Sequence, residues 1–312
     1  MMSDFVLTTP VALLVFNRPE LTARVFAAIR EARPPRLLVV ADGPRRGHPD
    51  DPERCAEVRR IVGQVDWPCE LLCNYSEENL GCRMRVSGGL DWVFEQVEEA
   101  IILEDDCLPD PTFFRFCQEL LHHYRDDERV MTICGTNLLG RWKDDRQSYH
   151  FAQYDFVWGW ASWRRAWRHY DLEMRLWNDP DCRQRIRRTL QNDRFWRLRE
   201  KTFQQAFDNR IDTWDYQWAF ARTAQGGLAV VPSINLIANI GFGIDATHTI
   251  VDEKEFTAIP VGTMAFSLAH NDSFTPDMEY DLSVVSMLAR KNSVLERVVR
   301  LFRLIMMRLH GS

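Results

Sequence analysis

Residues 100–121 read AIILEDDCLPDPTFFRFCQELL. Ala100 to Leu103 form a short unbroken apolar run, as a strand buried on both faces requires, and the run passes directly into Glu104, Asp105 and Asp106. Asp110 then stands at an N-cap position with Pro111 in the first turn. Phe113, Phe114, Phe116, Cys117, Leu120, Leu121 and Tyr124 follow at helical spacing. The stretch therefore predicts a buried strand, an acidic turn and an amphipathic helix.

The same unit recurs on either side. Residues 11–16 (VALLVF) are a buried-strand run, and Pro19 opens a helix with Leu21, Val25 and Ile29 on one face. Residues 36–41 (RLLVVA) repeat the strand and end in Asp42-Gly43-Pro44, with a helix predicted over 52–63. A third strand fits 70–74, a helix 83–97 and a fifth strand 130–134. This alternation predicts an α/β fold: an open, mainly parallel sheet with helices on both faces, whose ligands gather at the carboxyl ends of the strands. Arg18, Asp42, Asn74 and the acidic triplet all fall at such ends.

Composition narrows the function classes. The 312 residues carry 39 Lys+Arg against 45 Asp+Glu, a net charge of −6, which supplies no global basic field for a nucleic acid. With 46% apolar and 27% charged residues, and only 15 Gly and 14 Pro, the chain is neither collagenous nor largely disordered. No basic leader precedes the first apolar run and no stretch is long enough to span a bilayer, so a cytoplasmic location is expected. The eight cysteines lack zinc-ligand spacing and are expected to be reduced and mostly buried. Nine of the eleven tryptophans fall between Trp142 and Trp218, which separates an aromatic second half from the strand-rich first. In the tail, Leu295, Val298, Val299, Phe302, Ile305, Met306 and Leu309 share a helical face flanked by Arg297, Arg300, Arg303 and Arg308. Such a helix lies on an anionic membrane surface or docks on protein.

Three adjacent carboxylates repel one another, and a divalent cation is the usual remedy: hard oxygens suit magnesium or manganese, and diphosphate oxygens complete the shell. Strand alternation puts Glu104 and Asp106 on one side and Asp105 on the other, and Asp106, at the open end, is expected to touch the metal. The alternative is a solvated acidic turn that caps the next helix.

The segment 100–121 resembles the metal-binding segment of GT-A glycosyltransferases, most closely the N-acetylglucosaminyltransferase I type, in a bacterial-type member; the likeness covers roughly residues 11–250. It implies a GT-A domain over 1–250, with a nucleotide-sugar half (1–140) and an acceptor half (141–250), followed by a C-terminal extension (251–312). It also implies an inverting, manganese- or magnesium-assisted transfer from a nucleotide sugar, a UDP-sugar, to a saccharide hydroxyl, as in polysaccharide synthesis. By the same resemblance, Arg18 lies near the donor phosphates and Asp42 meets the nucleotide base. Arg83, or Arg85 in its place, reaches the diphosphate. Glu104 and Asp105 belong to the donor site, and Asp106 and His248 to the metal. Trp158, in the segment Trp158-Gly159-Trp160-Ala161-Ser162-Trp163, lies beneath the donor sugar, while Trp163 and Trp167, four apart on a helix, are read as packing residues. Thr213-Trp214-Asp215-Tyr216-Gln217-Trp218 resembles the segment that carries the catalytic base, which assigns that role to Asp215, with Asp212 as the alternative. Two other readings stand beside this one. A sugar nucleotidyltransferase would need a Gly-rich loop after the first strand, which is absent, and a non-catalytic carbohydrate- or nucleotide-binding relative would keep the triplet without a working base.

Overall fold

The computed structural model describes residues 5–241, 259–270 and 273–288. The first half runs β1 (Val11–Val15), α1 (Pro19–Ala32), β2 (Arg36–Ala41), α2 (Asp51–Val62), β3 (Glu70–Tyr75), α3 (Gly81–Gln96), β4 (Glu99–Glu104), β5 (Cys107–Pro109), α4 (Thr112–His123) and β6 (Val130–Cys134). The second half adds β7 (Tyr149–Ala152), β8 (Trp160–Trp163), α5 (Arg164–Trp167), α6 (Pro180–Leu190), α7 (Asp193–Phe207), α8 (Asp215–Ala224), β9 (Leu228–Pro232) and β10 (Ile237–Asn239).

Eight strands form one mostly parallel, mixed sheet in the order β3-β2-β1-β4-β8-β6-β9-β7, and β5 pairs with β10 in a separate ribbon. The four strands β3, β2, β1 and β4 are parallel neighbours. Alternation along each strand sends Val11, Leu13, Val15, Leu37 and Val39 to the face covered by α1, α2 and α4. Ala12, Leu14, Leu38 and Val40 go to the other face, under α3, α5 and α8. Helices thus cover both faces, and the α/β fold class expected from the alternation is the one observed.

Two local expectations are corrected. Trp163 ends strand β8 and does not share a helix with Trp167; both are nonetheless buried packing residues, 2% and 4% exposed. Cys107–Pro109, between the acidic turn and the helix where no strand is expected, form β5, because β10 pairs antiparallel with it at Leu108↔Ala238. The second half places β8 antiparallel between β4 and β6, with Ala161 opposite both Ile101 and Ile133. Its entry depends on two glycines. Gly135 N donates to Gly159 O at 2.7 Å, and a Cβ on Gly135 would lie 2.6 Å from Phe113 and 2.8 Å from that carbonyl. Asp110 caps α4 as expected, with Oδ1 accepting from Thr112 N at 2.9 Å.

Candidate active site

The parallel strands end together, and their carboxyl ends open into a cavity of about 270 Å³. Its walls are apolar where strand and helix side chains reach it (Leu14, Val40, Val86, Phe16) and charged where the loops begin. Arg18, Asp42, Glu104 and Asp105 line it. Four residues expected at three strand ends therefore share one space.

Arg18 follows β1 and turns onto the triplet. Its Nη2 and Nε donate to Asp105, the latter at 3.3 Å, and Nη1 lies 3.0 Å from Asp106 Oδ2. Asp105 is 2% exposed, whereas Glu104 and Asp106 are half-buried, as strand alternation requires. Burial, followed by Asp106 and Asp105, pushes the Glu104 carboxyl up to about 8, and the more distant Asp215 adds to the effect. Burial also raises Asp105, to about 6, against the pull of Arg18. Among the described residues the three carboxylates share one guanidinium, which leaves the cluster under-neutralised there.

Asp42 lines the cavity but is already occupied. Oδ1 accepts from Gly43 N and Leu80 N, each at 2.9 Å, and Oδ2 from Asn79 Nδ2 at 2.9 Å and Gly81 N at 3.2 Å. Four donors fill the acceptor capacity of a carboxylate. Asp42 thus builds the 79–81 loop that enters α3, and an incoming imide N–H would have to displace one of these donors. Arg85 faces the cavity and is held by Ala41 O at 3.1 Å and Asn74 Oδ1 at 2.8 Å. The Arg83 guanidinium points elsewhere, donating to Asn209 and to Leu172 O at 2.9 Å, and does not line the cavity.

Asp215 is the first residue of α8, and Thr213 Oγ1 donates to its carboxylate. Burial raises its affinity for a proton, partly offset by Thr213 and by the helix backbone. Asp215 is not among the cavity-lining residues, although its charge raises the Glu104 carboxyl and the Cys82 thiol. Asp212 lines the cavity mouth, but its Oδ1 accepts from Arg83 N at 3.2 Å and so caps α3 from outside the helix. Trp158 is half-buried beside Phe156, with ring centroids 5.9 Å apart, and is not among the cavity-lining residues. The adjoining Gly159 packs toward Leu103 of the triplet-bearing strand. His248 lies outside the described residues.

Sequence reasoning missed Arg45, Asn79 and Cys82, all of which line the cavity. Arg45 follows β2 and binds Asp51 Oδ2 through Nε at 2.7 Å, while Asn17 Nδ2 holds Asp51 Oδ1 at 2.7 Å. These bonds keep Asp51 well below the usual carboxylate range. The available signal was position: Arg45, like Arg18, lies just beyond a strand's carboxyl end.

No family model and no curated protein sequence matches the chain. Solved structures resemble it at low similarity. S. aureus TarS, residues 1–349, superposes with a TM-score of 0.41 and 8% identity over 74% of this chain and 59% of that one. A UDP-glucose pyrophosphorylase complexed with UDP-glucose gives 0.37 and 9% identity, over 80% and 97%. A 4-diphosphocytidyl-2C-methyl-D-erythritol synthase from Anaerococcus prevotii gives 0.32 and 9%, over 55% and 78%. This chain therefore spans less than two thirds of the TarS fragment it resembles.

Proposed function

We propose that the chain is an inverting glycosyltransferase that moves a sugar from a nucleotide-diphosphate donor, a UDP-sugar, to a saccharide hydroxyl, working on the cytoplasmic side in the synthesis of a polysaccharide or glycoconjugate. One observation carries the reading: Arg18, Arg45, Asp42, Glu104 and Asp105 share a single cavity at the strand ends, with Asp215 within electrostatic reach. The apolar wall of Leu14, Val40 and Val86 suits a nucleoside. Arg85, which faces the cavity and is held by the neutral oxygens of Ala41 and Asn74, supplies charge for a diphosphate.

The residues present suit a manganese or magnesium ion. The under-neutralised triplet calls for a further cation, and Asp106 offers a hard, accessible oxygen. Among the described residues no three ligand groups converge, so such an ion would need phosphate and water oxygens to complete its shell. When bound, such an ion would offset the charge of the departing diphosphate. Asp215 takes the proton from the acceptor hydroxyl, and burial makes it a better base than a solvated aspartate. Thr213 donates to its Oδ1.

A thermal-shift series with nucleotides and nucleotide sugars, with and without Mn²⁺, tests the reading. Stabilisation by one UDP-sugar only in the presence of Mn²⁺, lost in Asp106→Ala, is expected. The absence of a shift with any nucleotide would overturn it.

A further inference from the structure

The chain has a net charge of −6, yet residues 182–201 carry seven arginines and one lysine against one aspartate and one glutamate. This segment is α6 and most of α7, packed against each other on the side of the molecule built from the second half. In α6 the buried residues Cys182, Ile186 and Leu190 recur every fourth position, which turns Gln184, Arg187, Arg188 and Gln191 to the opposite, exposed face. In α7 the buried Phe195, Trp196, Arg199 and Phe203 turn Arg194, Arg197 and Lys201 outward in the same way. Only Arg199 of these eight cations is buried, beside Asp155 at 3.6 Å. Arg187 spends part of its charge on Asp193 at 2.7 Å.

The two exposed faces meet at a shallow polar groove of about 410 Å³, lined by Gln184, Arg187, Arg188, Gln191, Asn192 and Asp193. None of these is aromatic, so the face has no platform on which bases of a single strand would stack. Cations spread over a surface, with amide groups between them, suit a field of anionic headgroups. The patch also adjoins the helical segment 278–288, where Arg194 Nη1 lies 3.5 Å from Ser286 Oγ. The sequence that follows, 290–308, contributes six further cations and a single acid, so the chain leaves the described region beside the patch with charge of the same sign.

We infer that the exposed face of α6 and α7 is a docking surface for an anionic lipid bilayer. No helix among the described residues is long and apolar enough to cross a membrane, so the contact is peripheral and electrostatic. It is separate from the strand-end cavity and does not depend on the reaction assigned to that cavity.

The test is co-sedimentation of the full chain with vesicles of phosphatidylglycerol and phosphatidylcholine, and with vesicles of phosphatidylcholine alone. Binding to the anionic vesicles only is expected, with loss at 0.5 M salt. Arg188→Glu/Arg194→Glu/Arg197→Glu should weaken it by about a hundredfold or more, since each cation near such a surface contributes on the order of a fivefold effect. The corresponding triple Arg→Lys variant should retain binding, which separates lost charge from lost fold. Equal binding of the triple Glu variant, equal binding to neutral vesicles, or binding to a soluble acidic polysaccharide without binding to anionic vesicles would each overturn the inference.

Discussion

Replacing Arg18 by Met removes the only cation that touches Asp105 among the described residues, a carboxylate 2% exposed, and a group that also touches Asp106. Breaking a buried ion pair from one side typically costs about 3–5 kcal/mol, because the remaining charge stays desolvated. Asp105 can escape that cost by taking a proton, and its pKa near 6 sets where it does so. That value lies above the unfolded one, so the group erodes stability as pH rises through the interval between them. Loss of Arg18 extends the interval upward. At pH 5 the carboxyl is largely protonated in both chains, and the variant should lose only the hydrogen bonds, about 1–2 kcal/mol. At pH 8 the full ~3–5 kcal/mol should appear. With a urea slope of about 2–3 kcal/mol/M, the midpoint should fall by about 0.5 M at pH 5 and by more than about 1 M at pH 8. Tryptophan fluorescence reads the transition. An equal loss at the two pH values would refute the account of Arg18 as the counter-charge of a buried acid.

Asp215→Asn should lower sugar transfer by on the order of 10²–10⁴-fold in a UDP-release assay. Because burial raises the wild-type carboxyl, the charged form is a cost to folding above its pKa; the Asn variant should be at least as stable at pH 7, and a drop in melting temperature would contradict this. His150 is 1% exposed against the Tyr280 ring, and burial lowers its pKa to about 4. The unfolded chain binds a proton below about 6.5 that the folded chain refuses, so up to about 3 kcal/mol of stability should be present above pH 6.5 and lost as pH falls toward 4. His150→Phe should flatten that slope in urea titrations, and an unchanged slope would assign it to other groups. Gly159→Ala forces a side chain into φ +60° and places a Cβ 2.4 Å from Ile237 Cδ1. Left-handed strain of about 1 kcal/mol and overpacking of about 1–3 kcal/mol should together lower stability, measured by urea unfolding.

Most of the first half was legible because β1, β2, β4 and β6 are continuous apolar runs and the helices between them are single-faced. β2 falls at 36–41 and β6 at 130–134, as the pattern requires. The second half was not, since Trp160-Ala161-Ser162-Trp163 is a strand buried on both faces whose composition suits a helix equally well. Only pairing with β4 and β6 decides it. Likewise, nothing local distinguishes Arg83 from Arg85. They lie two apart on α3, so about 200° of helical rotation sends one to the cavity and the other toward Asn209.

The sequence by itself determined the alternation of strand and helix, and with it the chemistry that emerges at the strand ends, because periodicity and chain direction are local properties. Tertiary structure decided which of those groups are free to act. Asp42 is spent on four donors, three of them from the 79–81 loop; Asp212 caps α3; and Arg18 is committed to Asp105 and Asp106. Apart from Gly43, those partners are brought by segments 37 to 129 residues away along the chain, and no spacing rule within a single element reports them.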